Sequence, residues 1–217
     1  MLFLVSTPIG NLEDMTFRAV RTMKEVDYVL CEDSREARKL LNHYEISAPL
    51  VVYNAHSHTG KAGKILSDLK AGKNIALISD AGTPLLQDPG ILLVQDAIKH
   101  GIPISVIPGA SALLTALVAS GFDTNNFQFW GFIPHKKGRE TLFKKLAETV
   151  DTVVLYESPH RILKTLEQMQ IFCPKKNVVL GRELTKKFEE YLRGTAEELA
   201  EHFKANQVRG EFVMVVG

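Results

Sequence analysis

Three short runs of the sequence place carboxylates next to basic side chains, a combination that suits proton transfer beside a phosphate-bearing substrate. They read Glu32-Asp33-Ser34-Arg35, Glu157-Ser158-Pro159-His160-Arg161 and Arg182-Glu183-Leu184-Thr185-Lys186. A carboxylate in such a run could accept a proton or orient a hydroxyl, and an arginine could hold a phosphate. Lys186 could serve as a base if its neighbours lowered its pKa. Each run could equally be a salt-bridged turn at a helix end, and His160 could be a structural histidine.

A basic loop follows an aromatic strand in the second half of the chain. The loop contains Lys136, Lys137 and Arg139, and the strand contains Phe129, Trp130 and Phe132. Basic groups beside an exposed ring are typical of RNA contacts, with the cations on phosphates and the ring on a base. The alternative is a solvated loop beside aromatic residues of the core.

The loop from Ile78 to Gly90 combines polar residues with Gly82 and Pro84 between a buried strand and a helix. Glycine permits close backbone approach or a positive φ, and loops at the carboxyl ends of strands bind ligands in open α/β sheets. Asp88 and Pro89 are predicted to be the N-cap and first residue of the following helix. Neither phosphate-binding glycine fingerprint, Gly-x-x-x-x-Gly-Lys-Ser/Thr or Gly-x-Gly-x-x-Gly, occurs. The glycine loops therefore favour an adenosine-containing ligand without a large phosphate group.

The elements that must position these loops alternate between strand and helix. The predicted strands of the first half cover 2–6, 28–31, 50–53, 74–78 and 104–107, with helical patterns after each. Alternation at this spacing predicts parallel βαβ units. Beyond 123–126 the strands are predicted at 127–132, 152–156, 177–180 and 211–216, while 188–192 could be a strand or a helical turn. Thr195 and Glu198 form a predicted capping box.

We therefore predict two α/β domains: residues 1–122 with a mostly parallel sheet, and residues 123–217 with a mixed sheet. The polar loops at the strand ends predict a ligand cleft between the two domains. The chain has 217 residues, 26 basic and 25 acidic, and a formal net charge of +1, so any nucleic-acid contact must be a local patch.

The cysteines and the apolar segments indicate where the protein works. Cys31 and Cys173 lie far apart, without partners at metal-ligand spacing, which favours reduced thiols in a cytosolic protein over a disulfide or a metal site. No signal peptide and no membrane-spanning run is recognisable. We expect a cytoplasmic protein that needs no metal.

Taken together, the strand-end motifs resemble those of the bacterial 16S ribosomal RNA (cytidine-2′-O)-methyltransferases, a branch of the tetrapyrrole (corrin/porphyrin) methylase superfamily. The motifs occur in that family's order and cover the whole chain: Thr7-Pro8-Ile9-Gly10-Asn11-Leu12, Glu32-Asp33-Ser34-Arg35, Ser79-Asp80-Ala81-Gly82-Thr83-Pro84, Pro108-Gly109-Ala110-Ser111-Ala112, Glu157-Ser158-Pro159-His160-Arg161 and Arg182-Glu183-Leu184-Thr185-Lys186. The family usually has threonine where this sequence has Ser34, which keeps the hydroxyl. Members also often carry a further C-terminal extension.

The resemblance implies a homodimeric enzyme that binds S-adenosylmethionine in a cleft between its two domains and methylates a cytidine ribose of 16S rRNA in the small ribosomal subunit. It implies cofactor contacts at Pro8, Gly82, Thr83, Pro84, Leu85, Leu86, Ser111, Ala112, Tyr156, Arg182 and Gly210. For the RNA substrate we expect Asn11, Arg35, Lys136, Lys137, Glu157, His160 and Arg161. Methyl transfer from a sulfonium needs alignment and removal of the hydroxyl proton, for which the candidates are Glu32, Asp33 and Lys186.

Two other functions are compatible with the sequence. A small-molecule tetrapyrrole methylase would share the fold, but the charged turns match the RNA-modifying branch. A non-catalytic protein that binds an adenosine ligand or RNA would also suit the near-zero net charge, and methyl transfer to RNA would exclude it.

Overall fold

A computed structural model describes residues 1–54, 58–205 and 208–217, with the side chains of 58 and 59 left out. The described chain forms two compact units, Met1–Ser111 and Ala112–Gly217. None of its described helices is long and apolar enough to cross a membrane.

The first unit is built on a five-stranded sheet in which every strand runs parallel to its neighbours, as the alternating sequence pattern predicted. The strand order is β3-β2-β4-β1-β5. The strands are β1 (Leu2–Val5), β2 (Tyr28–Cys31), β3 (Leu50–Val52), β4 (Ile75–Leu77) and β5 (Ile104–Ile107).

Helices cover both faces of this sheet, which is why its central strands are apolar on both sides. The helices are α1 (Phe17–Glu25), α2 (Ser34–His43), α3 (His58–Lys70) and α4 (Ile91–Lys99), and a short 3-10 turn spans Leu12–Asp14. Apolar residues of α1 and α2 pack with Val29 and Ala76 on one face. Residues of α3 and α4 pack with Leu30 and Ile75 on the other face.

The second unit contains a mixed five-stranded sheet with the order β6-β7-β10-β8-β9. The strands are β6 (Phe127–Phe132), β7 (Thr152–Glu157), β8 (Asn177–Arg182), β9 (Glu190–Thr195) and β10 (Phe212–Val216). Strand β6 is parallel to β7, whereas β10 is antiparallel to both β7 and β8, and β9 is antiparallel to β8. The open alternative at 188–192 is thereby decided, because Glu190 begins a strand.

The helices of this unit are α5 (Ala112–Ser120), α6 (Arg139–Glu148), α7 (Ile162–Phe172) and α8 (Ala196–Ala205). Helices α6, α7 and α8 share one apolar core with the sheet. The predicted capping box is confirmed, since the Thr195 hydroxyl accepts from the Glu198 N–H and the Glu198 carboxylate accepts from the Thr195 N–H. Helix α5 packs on β7, β8 and β10. It therefore belongs to the second unit, whereas the domain boundary predicted from the sequence lies after it, at 122/123.

The start of α4 differs from the prediction. Gly90, not Asp88, is its N-cap, with φ +124° and no side-chain cap. A Cβ at Gly90 would lie 2.7 Å from Leu77 Cδ2 and 2.8 Å from Leu85 Cδ2. The missing side chain thus lets the loop close over the end of β4, a long-range constraint that the local Asp-Pro signal did not reveal.

Replacing Gly90 by alanine should therefore combine backbone strain with a steric clash and lower the free energy of unfolding by about 2 kcal/mol or more. Gly101→Ala is the matched control, because Gly101 has φ +66° but an added Cβ would meet no atom within 4 Å. Its loss should be about 1 kcal/mol. Urea unfolding of both variants measures the difference, and equal losses would contradict the clash.

Candidate functional site

Three polar loops of the first unit meet at one edge of its sheet, because parallel strands all end on the same side. The loop after β1 is bonded to the loop after β4 by a two-way backbone bridge, with Thr7 N to Gly82 O at 2.9 Å and Gly82 N to Thr7 O at 3.1 Å. The Ser6 hydroxyl donates to Thr83 Oγ1 at 3.2 Å. The Thr83 hydroxyl donates to the Ala110 carbonyl, after β5, at 3.3 Å. Together these loops form a single surface.

Glycine makes this close approach possible. Gly82 has φ +80°, and a Cβ there would lie 3.2 Å from Ile9 Cγ2. A Cβ at Gly109 would lie 2.9 Å from Ser6 Cβ. The structure thus brings together the loops that carry the predicted cofactor residues of this unit, Pro8, Gly82, Thr83, Pro84, Leu85, Leu86 and Ser111. Ala112 opens α5 and lies in the second unit.

The loop after β4 also holds backbone conformations that side chains rarely adopt. Leu85 and Gln87 both have φ +75°. Left-handed non-glycine residues cost of order 1–3 kcal/mol each and cluster at functional sites. Pro84 is buried, whereas Leu86 is 40% exposed. The loop therefore holds a strained conformation that leaves the apolar side chain of Leu86 exposed at the strand-end edge.

At the start of α2, Asp33 and Arg35 form the helix-capping turn that the sequence allowed as an alternative. Asp33 accepts from the Arg35 N–H at 2.8 Å and pairs with the Arg35 guanidinium at 2.6 Å. These bonds lower the pKa of Asp33 to about 2. Asp33 is consequently a poor proton acceptor at neutral pH, although the Arg35 side chain remains 85% exposed.

Other carboxylates of this edge behave in the opposite way. Partial desolvation and repulsion from Asp80 raise the pKa of Glu32. Burial, with repulsion from Glu32 and Asp80, raises the pKa of Asp88 to about 6. Asp80 and Asp88 were not predicted from the sequence to be charge-bearing site residues. Their position in the loop after β4, next to β2 in the sheet, was the available signal. The described residues hold no metal-binding group of three or more His, Cys, Asp or Glu side chains.

The second unit also gathers its polar loops at one edge. Strands β6, β7 and β8 end there, and β9 and β10 begin there, as their registers show. Lys136, Lys137 and His160 are exposed at this edge. The neighbouring Arg139 is only 4% exposed and Glu157 only 2% exposed. The sequence left open a solvated loop that contains Lys136, Lys137 and Arg139. For Arg139 this interpretation is wrong, because its side chain is buried.

Glu157 anchors a buried network instead of facing a substrate. It accepts from the Thr165 hydroxyl at 2.7 Å and the Ser158 N–H at 2.8 Å. It pairs with Arg161 at 2.6 Å and Arg139 at 3.5 Å. Arg161 also donates to the Ile133 carbonyl, and Arg139 to the Pro134 carbonyl. The network thereby fixes the backbone of the loop that carries Lys136 and Lys137.

Lys186 lies between two carboxylates, Glu183 at 3.0 Å and Glu211 at 2.9 Å. Burial alone would lower the pKa of Lys186, but the two carboxylates outweigh burial and the pKa is raised. The suggestion of a lowered pKa is therefore wrong, because the sequence showed the carboxylates nearby but not their direct contact. Gly210, with φ +90°, leaves room for the Glu183 side chain, because a Cβ at Gly210 would lie 2.5 Å from Glu183 Cγ.

The remaining predicted residues of this unit are held by other partners. Arg182 pairs with Glu190 and donates to the Arg209 carbonyl at 2.7 Å. The ring of Tyr156 contacts the rings of Phe129 and Phe132 edge-on, at centroid distances of 5.1 Å and 5.4 Å. In the first unit, Asn11 caps the 3-10 turn by accepting from the Glu13 N–H.

Comparison with known proteins agrees with this arrangement. The family model of the tetrapyrrole (corrin/porphyrin) methylases matches residues 1–200. "Ribosomal RNA small subunit methyltransferase I" of Halalkalibacterium halodurans is 48% identical over 99% of this chain and 75% of its own length. The protein of the same name from Thermotoga maritima is 41% identical over 99% of this chain and 97% of its own length.

Solved structures share the fold at lower identity. A diphthine synthase superposes with a TM-score of 0.76 at 15% identity, covering 99% of this chain and 88% of that one. A uroporphyrin-III C-methyltransferase from Thermus thermophilus, complexed with S-adenosyl homocysteine, gives 0.66 at 21% identity over 100% and 96% of the two chains.

The fold and the family model together define the chain as a methyltransferase. It belongs to the tetrapyrrole methylase family, and the predicted fold class of one parallel and one mixed α/β sheet is confirmed.

The buried network yields a stability prediction. Glu157→Gln would leave two arginines without their carboxylate partner, and we expect a loss of about 3–5 kcal/mol in the free energy of unfolding. Glu140→Gln is the control, because Glu140 pairs with Lys144 while both side chains are 63% exposed. It should lose less than about 1 kcal/mol. Urea unfolding compares the two, and a small loss for Glu157→Gln would show that the network does not stabilise the unit.

The raised pKa of Asp88 yields a pH prediction. An unfolded aspartate has a pKa of about 3.9. The folded state therefore binds more protons between that value and about 6, so Asp88 makes stability fall as pH rises through this window. Asp88→Asn should thus gain stability relative to the unmodified protein between pH 4 and pH 7. Urea midpoints across that range test this, and a constant difference would contradict the shifted pKa.

Proposed function

We propose that this methyltransferase transfers a methyl group from S-adenosylmethionine to the 2′-hydroxyl of a cytidine ribose in the decoding region of 16S rRNA. The observation that carries the proposal is the similarity to proteins named ribosomal RNA small subunit methyltransferase I, at 41–48% identity over 99% of this chain. The solved structures of tetrapyrrole-modifying enzymes support only the shared fold, since they are 21% identical or less.

The first unit's strand-end edge suits the cofactor. S-adenosylmethionine carries a sulfonium, an ammonium and a carboxylate group, so its net charge is positive, and it has no phosphate. Its sulfonium supplies an activated methyl group. Glu32, Asp80 and Asp88 give this edge acidic character, which favours the sulfonium and the ammonium group. The adjacent glycine-rich backbone offers the close approach that an adenosine needs. Within the second unit, Ala112, Tyr156, Arg182 and Gly210 stay proposed contacts on the strength of the resemblance.

Four of the RNA contacts that we propose are exposed side chains. Lys136, Lys137 and His160 lie at the second unit's edge, and Arg35 extends from the first unit. Asn11, the cap of the 3-10 turn, is proposed to contact RNA on the strength of the resemblance alone. Arg161 is largely engaged by Glu157 and backbone carbonyl oxygen, so Glu157 supports the RNA surface by holding Arg161 and contributes no contact of its own.

Among the three candidates for proton removal, the local electrostatics favour Glu32. Its raised pKa makes its carboxylate a better proton acceptor than Asp33, whose pKa is held near 2. Lys186 keeps its proton because its pKa is raised. Because its charge is engaged by Glu183 and Glu211, we assign Lys186 the role of holding the loop between β8 and β9 in place. The chain works in the cytoplasm on the small ribosomal subunit and, as the resemblance implies, as a homodimer.

The first test is methyl transfer itself. The protein is incubated with labelled S-adenosylmethionine and small ribosomal subunits that lack decoding-site methylation. We expect label in 2′-O-methylcytidine at a single position. Label at another nucleotide would show that the proposed substrate nucleotide is wrong. Label in a tetrapyrrole but not in RNA would favour the small-molecule methylases, and binding without any transfer would favour a non-catalytic protein.

Glu32→Gln should lower kcat about 100-fold or more, which is the usual contribution of a general base. Asp33→Asn should mainly loosen the turn and change kcat less. Glu36→Gln is the matched control, since Glu36 follows in α2 and pairs with exposed Lys39. Rates are measured at saturating subunit and cofactor, with folding checked by circular dichroism. A Glu32→Gln variant with the unmodified rate would remove Glu32 from the mechanism.

A further inference from the structure

The loop between β8 and β9, residues 183–189, holds a phenyl ring out of the protein. Phe188 is 68% exposed. Aromatic rings are the side chains on which unpaired bases stack, so an exposed ring at a polar strand-end edge is a candidate contact for a base. The ammonium of the neighbouring Lys187 lies 5.6 Å from the ring centroid, which adds a cation beside the ring face.

The loop that carries Phe188 is braced from both ends. Leu184 is 5% exposed and packs next to Gly181. Backbone bonds of 3.0 Å link Lys186 N to Glu183 O and Glu189 N to Lys186 O. Glu183 and Thr185 are held at φ +50° and +66°. These contacts constrain the backbone from which Phe188 projects, which lowers the entropic loss when a partner binds.

The surroundings of Phe188 are cationic along the whole strand-end edge of the second unit. The exposed cations of this edge, from β6 across to β9, are Lys136, Lys137, Arg209 and Lys187. Within the ranges that the structure describes, none of these four side chains forms an ion pair. By contrast, the acidic side chains of the edge are engaged: Glu157 with two arginines, Glu183 and Glu211 with Lys186, Glu190 with Arg182, and Glu189 with the Thr185 N–H.

The spacing of these groups suits a single nucleic-acid strand. Neighbouring strands of a sheet lie about 4.8 Å apart, so the loops after β6 and β8 are separated by roughly 15 Å along the edge. Phosphates that follow the cations would carry the strand toward Phe188. A ring at the end of a row of cations is the arrangement by which proteins bind unpaired bases, since stacking on an aromatic face accepts any base.

We propose that Phe188 is a base-stacking residue, and that the second unit's strand-end edge binds an unpaired stretch of RNA with its phosphates on Lys136, Lys137, Arg209 and Lys187. This inference rests on the proposed RNA substrate and deepens it. It specifies that the enzyme takes hold of single-stranded RNA, and that one base leaves its helical stack to lie on the ring.

The test is binding of a fluorescein-labelled single-stranded RNA oligonucleotide and of a duplex of equal length, measured by anisotropy at several salt concentrations. Phe188→Ala and Phe188→Leu should each weaken single-strand binding about tenfold or more, while Phe188→Tyr keeps it. The salt dependence should stay unchanged in these variants, because no phosphate contact is lost. Lys187→Ala should reduce the slope of log affinity against log salt concentration by about one released counterion. Duplex binding should not respond to Phe188.

Phe17→Ala is the matched control, because Phe17 is 97% exposed on α1 of the first unit. It should bind RNA as the unmodified protein does. Phe188→Trp adds a direct readout, since a stacked base quenches indole fluorescence above the background of Trp130.

Several results would overturn the stacking role. Unchanged affinity of Phe188→Ala would do so, and so would full affinity of Phe188→Leu, which would indicate an apolar contact without stacking. A loss seen only with whole ribosomal subunits would assign the ring to a surface of the assembled subunit other than an unpaired strand. If the unmodified protein methylates rRNA in these cases, the proposed function stands while the stacking role falls. If it neither binds nor methylates RNA, both fall.

Discussion

The common direction of the parallel strands is the constraint on which the rest of the first unit depends. Because β1, β4 and β5 run the same way, their carboxyl ends deliver Thr7, Gly82 and Ala110 to one edge, where backbone and hydroxyl hydrogen bonds join them. The loops can approach so closely only because Gly82 and Gly109 lack side chains. Sheet topology thus brings the loops of the site to one edge, and the two glycines allow these loops to pack closely.

Each unit gathers polar loops at one edge of its sheet, and the two edges have opposite electrostatics. Carboxylates with raised pKa values, Glu32 and Asp88, mark the edge of the first sheet. Cations mark the edge of the second, where Lys186 holds two of the carboxylates in ion pairs. The formal net charge of +1 conceals this separation. A protein that must bind a cationic methyl donor and a polyanion needs such a separation, because one surface of uniform charge would repel one of the two ligands.

Much of this fold follows from local sequence patterns, whereas the site depends on contacts that such patterns do not encode. Strand and helix periodicity predicted the parallel and the mixed sheet, and the Thr195 capping box is local enough to read directly. The prediction of Asp88 as the N-cap of α4 is wrong. The helix is capped by Gly90, whose position is set by its close packing against Leu77 of β4. Arg139 was predicted to be a surface cation, but it is buried because it pairs with Glu157 at the end of β7. Buried ion pairs and pKa directions depend on distances between segments far apart in the chain, so the sequence listed the participants but not their pairing.

The distribution of strain indicates how the protein carries out its chemistry. A sulfonium is already an activated methyl donor, so the protein's main task is to align it with the acceptor oxygen, and small misplacements reduce the rate strongly. Four of the five left-handed non-glycine residues that the structure describes lie in two strand-end loops, Leu85 and Gln87 after β4 and Glu183 and Thr185 after β8. Each strained loop is held by contacts that local sequence preference would not supply: packing over Gly90 in the first, and the Lys186 ion pairs in the second. These contacts hold the strand-end loops in fixed positions. A transfer whose rate depends on the alignment of donor and acceptor requires such fixed positions.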